Sequence, residues 1–97
     1  MPTLYEINRI LKAHKQELRE KYKVKEIGIF GSFVRGEEKR RSDVDILVEF
    51  EEVPDLLTFI EIETYLEKLL KKKVDLVRRG AIRPELKERI LSEVMAV

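Results

Sequence analysis

Three acidic residues and one tight turn carry the chemistry that this chain could perform. Asp43 and Asp45 lie two apart in Ser42-Asp43-Val44-Asp45-Ile46-Leu47-Val48-Glu49-Phe50. In a strand, residues i and i+2 project from one face, so this spacing predicts that both carboxylates converge. Asp75 sits in a second short β-branched run, Val74-Asp75-Leu76-Val77, and joins them if the two strands are neighbours. Such oxygen donors suit a hard cation, Mg²⁺, which keeps positions open for substrate phosphates. Three acids would hold two ions, one activating an attacking oxygen and the other steadying the departing phosphates. Gly31-Ser32 follows the apolar run Ile27-Gly28-Ile29-Phe30, where a strand must turn sharply. Backbone amides at that turn, the Ser32 hydroxyl and the start of a short helix predict an anion site fit for a nucleotide's phosphates. Arg35 either reaches a phosphate with its planar fork or pairs with the nearby acids.

The elements that must position these groups follow from periodicity. Thr3 to about Lys23 reads as a helix, with Thr3 and Glu6 as a capping box and Leu4, Ile7, Leu11, Leu18 and Tyr22 as its apolar stripe. Lys25 to Phe30 reads as the first strand, Ser32 to about Gly36 as a helical turn anchored by Phe33 and Val34, and Glu37 to Arg41 as a polar loop. Val44, Ile46, Val48 and Phe50 alternate with the acids and give the second strand a core face. Asp55 caps a helix to about Lys71, with Leu56, Phe59, Ile60, Leu66, Leu69 and Leu70 predicted inside. The strand of Asp75 follows, and Pro84 opens a last helix to the terminus, striped by Leu86, Ile90, Leu91, Val94 and Met95. The order α, β, short α, β, α, β, α implies an α/β (α+β) fold, a small mixed sheet with helices on its apolar face and the acids on the other.

Gly31-Ser32-Phe33-Val34-Arg35-Gly36, with ten residues between Gly31-Ser32 and Asp43-Val44-Asp45, resembles the minimal nucleotidyltransferases of the polymerase-β superfamily. Val34 replaces a frequent alanine, and Asp75 stands where that family carries its third acid. The resemblance spans almost the whole chain and implies the polymerase-β-like nucleotidyltransferase fold. It implies Asp43 and Asp45 as Mg²⁺ ligands, Asp75 completing the metal site and helping to deprotonate the acceptor, and Gly31 with Ser32 on the triphosphate. It further implies transfer of AMP from ATP, and, for stand-alone members, an antitoxin role in which AMP passes to a tyrosine hydroxyl of a HEPN-domain ribonuclease toxin. Two other readings stand beside it: adenylylation of a small hydroxylated molecule, and a non-catalytic module that binds a partner or nucleic acid.

Length and composition bound these readings. Residues 1–97 fit one domain, burying roughly 60–65% of its unfolded surface. Twenty basic against nineteen acidic residues leave a net charge of +1 and no bulk attraction to nucleic acid. Lys39-Arg40-Arg41, beside Glu37 and Glu38, reads as a solvated loop, and Lys71-Lys72-Lys73 as a complement to a helix C-terminus. Arg78 and Arg79 could face either the nucleotide or solvent. His14 reads as a surface or half-buried helix residue, and Tyr5 and Tyr22 as packing residues. Cysteine is absent, and no leader-like or membrane-spanning apolar run is present, so a cytoplasmic location is expected. High Lys and Glu with no Cys or Trp resembles the composition of hyperthermophile proteins, whose surface ion-pair networks gain value on heating, and suggests such an origin.

Overall fold

A computed structural model describes residues 2–97. Helix α1 (Leu4–Tyr22) begins where Thr3 accepts a bond from the Glu6 N–H and ends at Lys23, whose φ of 62° turns the chain out of the helix. It leads into β1 (Val24–Phe30), the one-turn α2 (Ser32–Arg35) and β2 (Val44–Phe50). Helix α3 (Leu56–Leu70), capped by Asp55 on the Thr58 N–H at 2.8 Å, then crosses over to β3 (Val74–Arg78). A single 3-10 turn (Arg79–Ala81) precedes α4 (Pro84–Glu93), and the chain closes with β4 (Met95–Ala96).

The strands order as β3-β2-β1-β4. The β2–β3 pair is parallel, as a helical crossover requires, while β1 pairs antiparallel with both β2 and β4. A register shift between Val24 and Glu26 changes the phase of β1, so that Val24, Ile27 and Ile29 all reach the core. Val44, Ile46, Val48 and Phe50 face the same way, as their alternation predicts, and meet Ile7, Leu11 and Leu18 of α1 and Ile62, Leu66 and Leu70 of α3. Two tyrosines tie those helices together: Tyr22 donates to Glu61 at 2.9 Å and Tyr65 donates to Glu17. On the outer edge of the sheet, Glu67 and Glu63 of α3 accept the Val74 and Leu76 N–H groups at 3.0 and 3.2 Å.

Four expectations need correction. The last helix stops at Glu93, and residues 95–96 form a short edge strand instead, with the Val97 N–H bonded to Ile27 O at 3.0 Å. Gly28 permits this, since a Cβ there would stand 2.7 Å from the Val94 side chain. In α3, Leu56 and Ile60 are 72% and 48% exposed, and Ile62 takes the inward position, one turn before Leu66. Tyr5 is 74% exposed and packs on nothing substantial, although Tyr22 is buried as expected. Among the described residues the ion pairs are Arg35 with Glu37 and Glu93, and Arg79 with Glu49, so the dense surface charge does not organise into an extended network.

Candidate active site

The site is assembled by register. Phe30, the last residue of β1, lies opposite Asp45 of β2, and Asp45 lies beside Asp75 of β3. The turn at Gly31 is therefore next to Asp45, and two of the three predicted acids occupy adjacent strands at the same level. Asp43 stands two residues upstream, exposed, just before β2 begins. Gly31 is required twice over: its φ is +80°, and a Cβ there would fall 2.0 Å from Asp45 Oδ2. Phe33, 2% exposed, pins the turn to the core, with Val34 packed beside it. Ser32 is half-buried at the start of α2.

This crowding shows in the charge balance. Burial, then the charges of Asp75 and Asp43, push the Asp45 carboxyl up to about 6, with Arg35 opposing. A cation between these groups would relieve that repulsion. Among the described residues, however, no three acidic or imidazole side chains stand close enough to make a ready cation cage, so the expected three-acid site is not preassembled. The donor set suits Mg²⁺ that arrives on phosphates, because that ion takes one or two carboxylates and fills its shell with substrate oxygens and water.

Arg35 takes the second of its predicted roles and pairs with acids, one of them close in sequence and one distant. Its guanidinium donates to Glu37 and to Glu93, each at 2.8 Å, and those carboxylates, Glu37 first, hold it more firmly in its charged form. The other oxygen of Glu93 accepts the Gly31 N–H at 2.9 Å. Burial raises the Glu93 carboxyl, but the bonds from Arg35 and Gly31 outweigh it and hold the group below its usual range. Sequence reasoning missed Glu93, because an acid in the last turn of an amphipathic helix carries no signal of its own. Leu86, Arg89, Ile90 and Glu93 of α4 share with Phe30, Gly31, Arg35 and Asp45 a cavity of about 190 Å³.

The remaining candidates lie elsewhere. His14 is half-buried, as expected, its Nδ1 2.9 Å from Ile10 O. Arg79 stands 3.8 Å from Glu49, and Arg78 alternates to the face opposite Asp75. Lys39 to Arg41 form an exposed turn in which the Lys39 N–H bonds the Ser42 hydroxyl at 2.8 Å. Lys72 donates to Arg40 O at 2.8 Å and thereby ties that loop to the end of α3. No helix among the described residues is long and apolar enough to cross a membrane.

The nucleotidyltransferase domain family matches residues 11–97, a span that contains the glycine turn and all three acids. The chain belongs to this family. As a nucleotidyltransferase it is 58% identical, over all of its length and 98% of the other chain, to the protein adenylyltransferase MntA of Thermococcus cleftensis. Among solved structures, this nucleotidyltransferase matches a toxin–antitoxin complex with AMP-PNP at a TM-score of 0.74 and 27% identity, covering 93% of this chain and 70% of that one. A complex of a tri-AMPylated HEPN toxin with its MNT antitoxin, from Shewanella oneidensis, matches at a TM-score of 0.68 and 22% identity over 93% of this chain and 70% of that one, a likeness of fold. The resemblance on Gly31-Ser32 and Asp43-x-Asp45 thus stands as family membership, and the mixed sheet flanked by helices as the family's fold.

Proposed function

We propose that this nucleotidyltransferase transfers AMP from ATP to a hydroxyl of a partner protein, as an antitoxin acting on a tyrosine of a HEPN ribonuclease toxin in the cytoplasm. The observation that carries the chemistry is the register that sets Asp45 beside Asp75 and opposite the Gly31 turn. The 58% identical relative supports the acceptor class, being named a protein adenylyltransferase. The toxin–antitoxin structure with AMP-PNP supports both an ATP-like donor and a toxin partner.

In this reading Gly31 and Ser32 hold the triphosphate, with Arg35 beside them. Asp43 and Asp45 are the carboxylates that would hold Mg²⁺, which, when bound, supplies neutralisation of phosphate charge and alignment of the reacting groups. Asp75 accepts the proton of the attacking hydroxyl. The acceptor oxygen forms a bond to the α-phosphorus while the bridge from α to β phosphate breaks, and pyrophosphate leaves. Asp75 is exposed, and half-buried Asp45 lies on the face that α1 and α3 leave uncovered, an arrangement that suits a protein-borne hydroxyl better than a deep small-molecule pocket would.

The test is incubation with Mg²⁺ and α-labelled ATP, with and without a HEPN-domain ribonuclease, followed by intact mass. The expected result is an AMP-sized increase on the partner, lost with Asp45→Ala or without Mg²⁺. A stable complex with no mass increase would replace this reading with that of a binding module.

A further inference from the structure

The donors proposed above for the triphosphate are already engaged. One oxygen of Glu93 takes the Gly31 N–H at 2.9 Å and the other takes Arg35 Nη1 at 2.8 Å. A carboxylate held on one backbone amide and one guanidinium has the charge and donor geometry of a bound phosphate edge. It is also well placed to be there, because residues 86, 89, 90 and 93 recur at i, i+3, i+4 and i+7 and turn one face of α4 toward Asp45. The space left, about 190 Å³, falls below the roughly 300 Å³ at which small-molecule pockets begin.

The helix that brings Glu93 is the least anchored of the long ones. None of its residues is buried, whereas α1 and α3 bury four and three. Its N-cap, Arg83, makes no side-chain capping bond. Its C-terminal end is held by the Val94 contact at Gly28 and by the pairing of β4 with β1. Glu93 lies at that held end, so a small rotation of the last turn, rather than a swing of the whole helix, is what takes its carboxylate off Gly31 and Arg35 without disturbing the core.

We infer that Glu93 is an internal competitor for the nucleotide's phosphates: in the free chain it occupies Gly31 and Arg35, and a nucleoside triphosphate enters only as α4 withdraws it. This deepens the functional reading and rests on it. The free chain therefore binds nucleotide more weakly than its donors allow, since only the open fraction is competent. The opposite role is equally definite, for if Glu93 instead orients Arg35 toward a nucleotide, removing its charge weakens binding.

The test is calorimetric titration of the full chain and of Glu93→Gln with ATP, with tripolyphosphate, both in Mg²⁺, and with adenosine. The variant is expected to bind ATP and tripolyphosphate roughly three- to tenfold more tightly, the scale of one partly exposed ion pair, and adenosine no better. A second measurement needs no variant: in the wild-type chain, saturating tripolyphosphate should speed amide exchange at residues 90–94. Equal or weaker polyphosphate binding by Glu93→Gln, or unchanged exchange in a saturated wild-type chain, overturns the inference while leaving nucleotide binding intact. Absence of ATP and tripolyphosphate binding by both proteins would overturn the functional reading as well.

Discussion

The two faces of the sheet are made by the same strands, one residue out of step, and they behave as different materials. On one face Val44, Ile46, Val48 and Phe50 are covered by α1 and α3, and Val44 and Ile46 are 0% exposed. On the other, Asp45 and Glu49 border clefts shared with a helix, α4, that buries nothing completely, and Asp75 stands exposed. The first face supplies stability through apolar contact, and the second holds like charges together at a cost. The comparison teaches that an acid in a period-two strand is held rigidly by its neighbours' burial rather than by bonds of its own.

Substitutions one residue apart should separate the two faces. Asp45→Ala is expected to lower AMP transfer by at least about 10³-fold, the scale of losing a principal electrostatic group, with circular dichroism and partner binding preserved. Retained activity in that variant would break the comparison at its centre. Ile46→Ala should do the reverse, costing roughly 2–5 kcal/mol in denaturant unfolding while the fraction that stays folded keeps its kcat. Gly31→Ala joins the two failures, since its Cβ would strike Asp45 and its φ of +80° disfavours any side chain. We expect a loss of about 1–3 kcal/mol together with transfer, read by melting and by labelled-ATP assay on one preparation.

A gentler probe uses pH. The folded-state Asp45 carboxyl sits near 6, above its ordinary 3.8, so folding takes up a proton between those values. The stability it contributes is complete below about 3.8 and is lost as pH rises through 6. Asp45→Asn, which carries no such charge, should therefore be more stable than wild type at pH 7 without divalent cations. The gain, roughly 1–2 kcal/mol after solvent screening, should fade toward pH 4 in a series of urea melts. The smallest effect lies far from the site: Thr3→Ala should cost about 1 kcal/mol through its lost cap and leave transfer unchanged.

Much of this contrast is written in short-range pattern. The alternation around Asp43 and Asp45 fixed the register of β2, and the caps at Thr3 and Asp55 placed both long helices to within a residue. What stayed hidden depends on distant partners. Met95 and Ala96 are strand only because the open edge of β1 receives them, and no two-residue pattern announces that. Leu56 and Ile60 have the right period for α3, but the sheet beneath them is engaged through Ile62 and Leu66 instead. Glu93 meets Gly31 across 62 positions, a pairing set by the seating of Val94 on Gly28 and by nothing local. Arg35 is ambiguous in sequence for the same reason, since one of its two partners, Glu93, arrives from the far end of the chain.

The bonds from Glu63 and Glu67 to the outer amides of β3 have a consequence for how these molecules meet one another. A parallel sheet that ends in a bare strand offers its ladder to any extended segment that passes. Here Val74 and Leu76 have already given their N–H groups to α3, and the opposite border is a strand of only two residues. Neither border offers a template for strand addition. Strand addition by a second copy is thereby disfavoured at both borders of the four-stranded sheet.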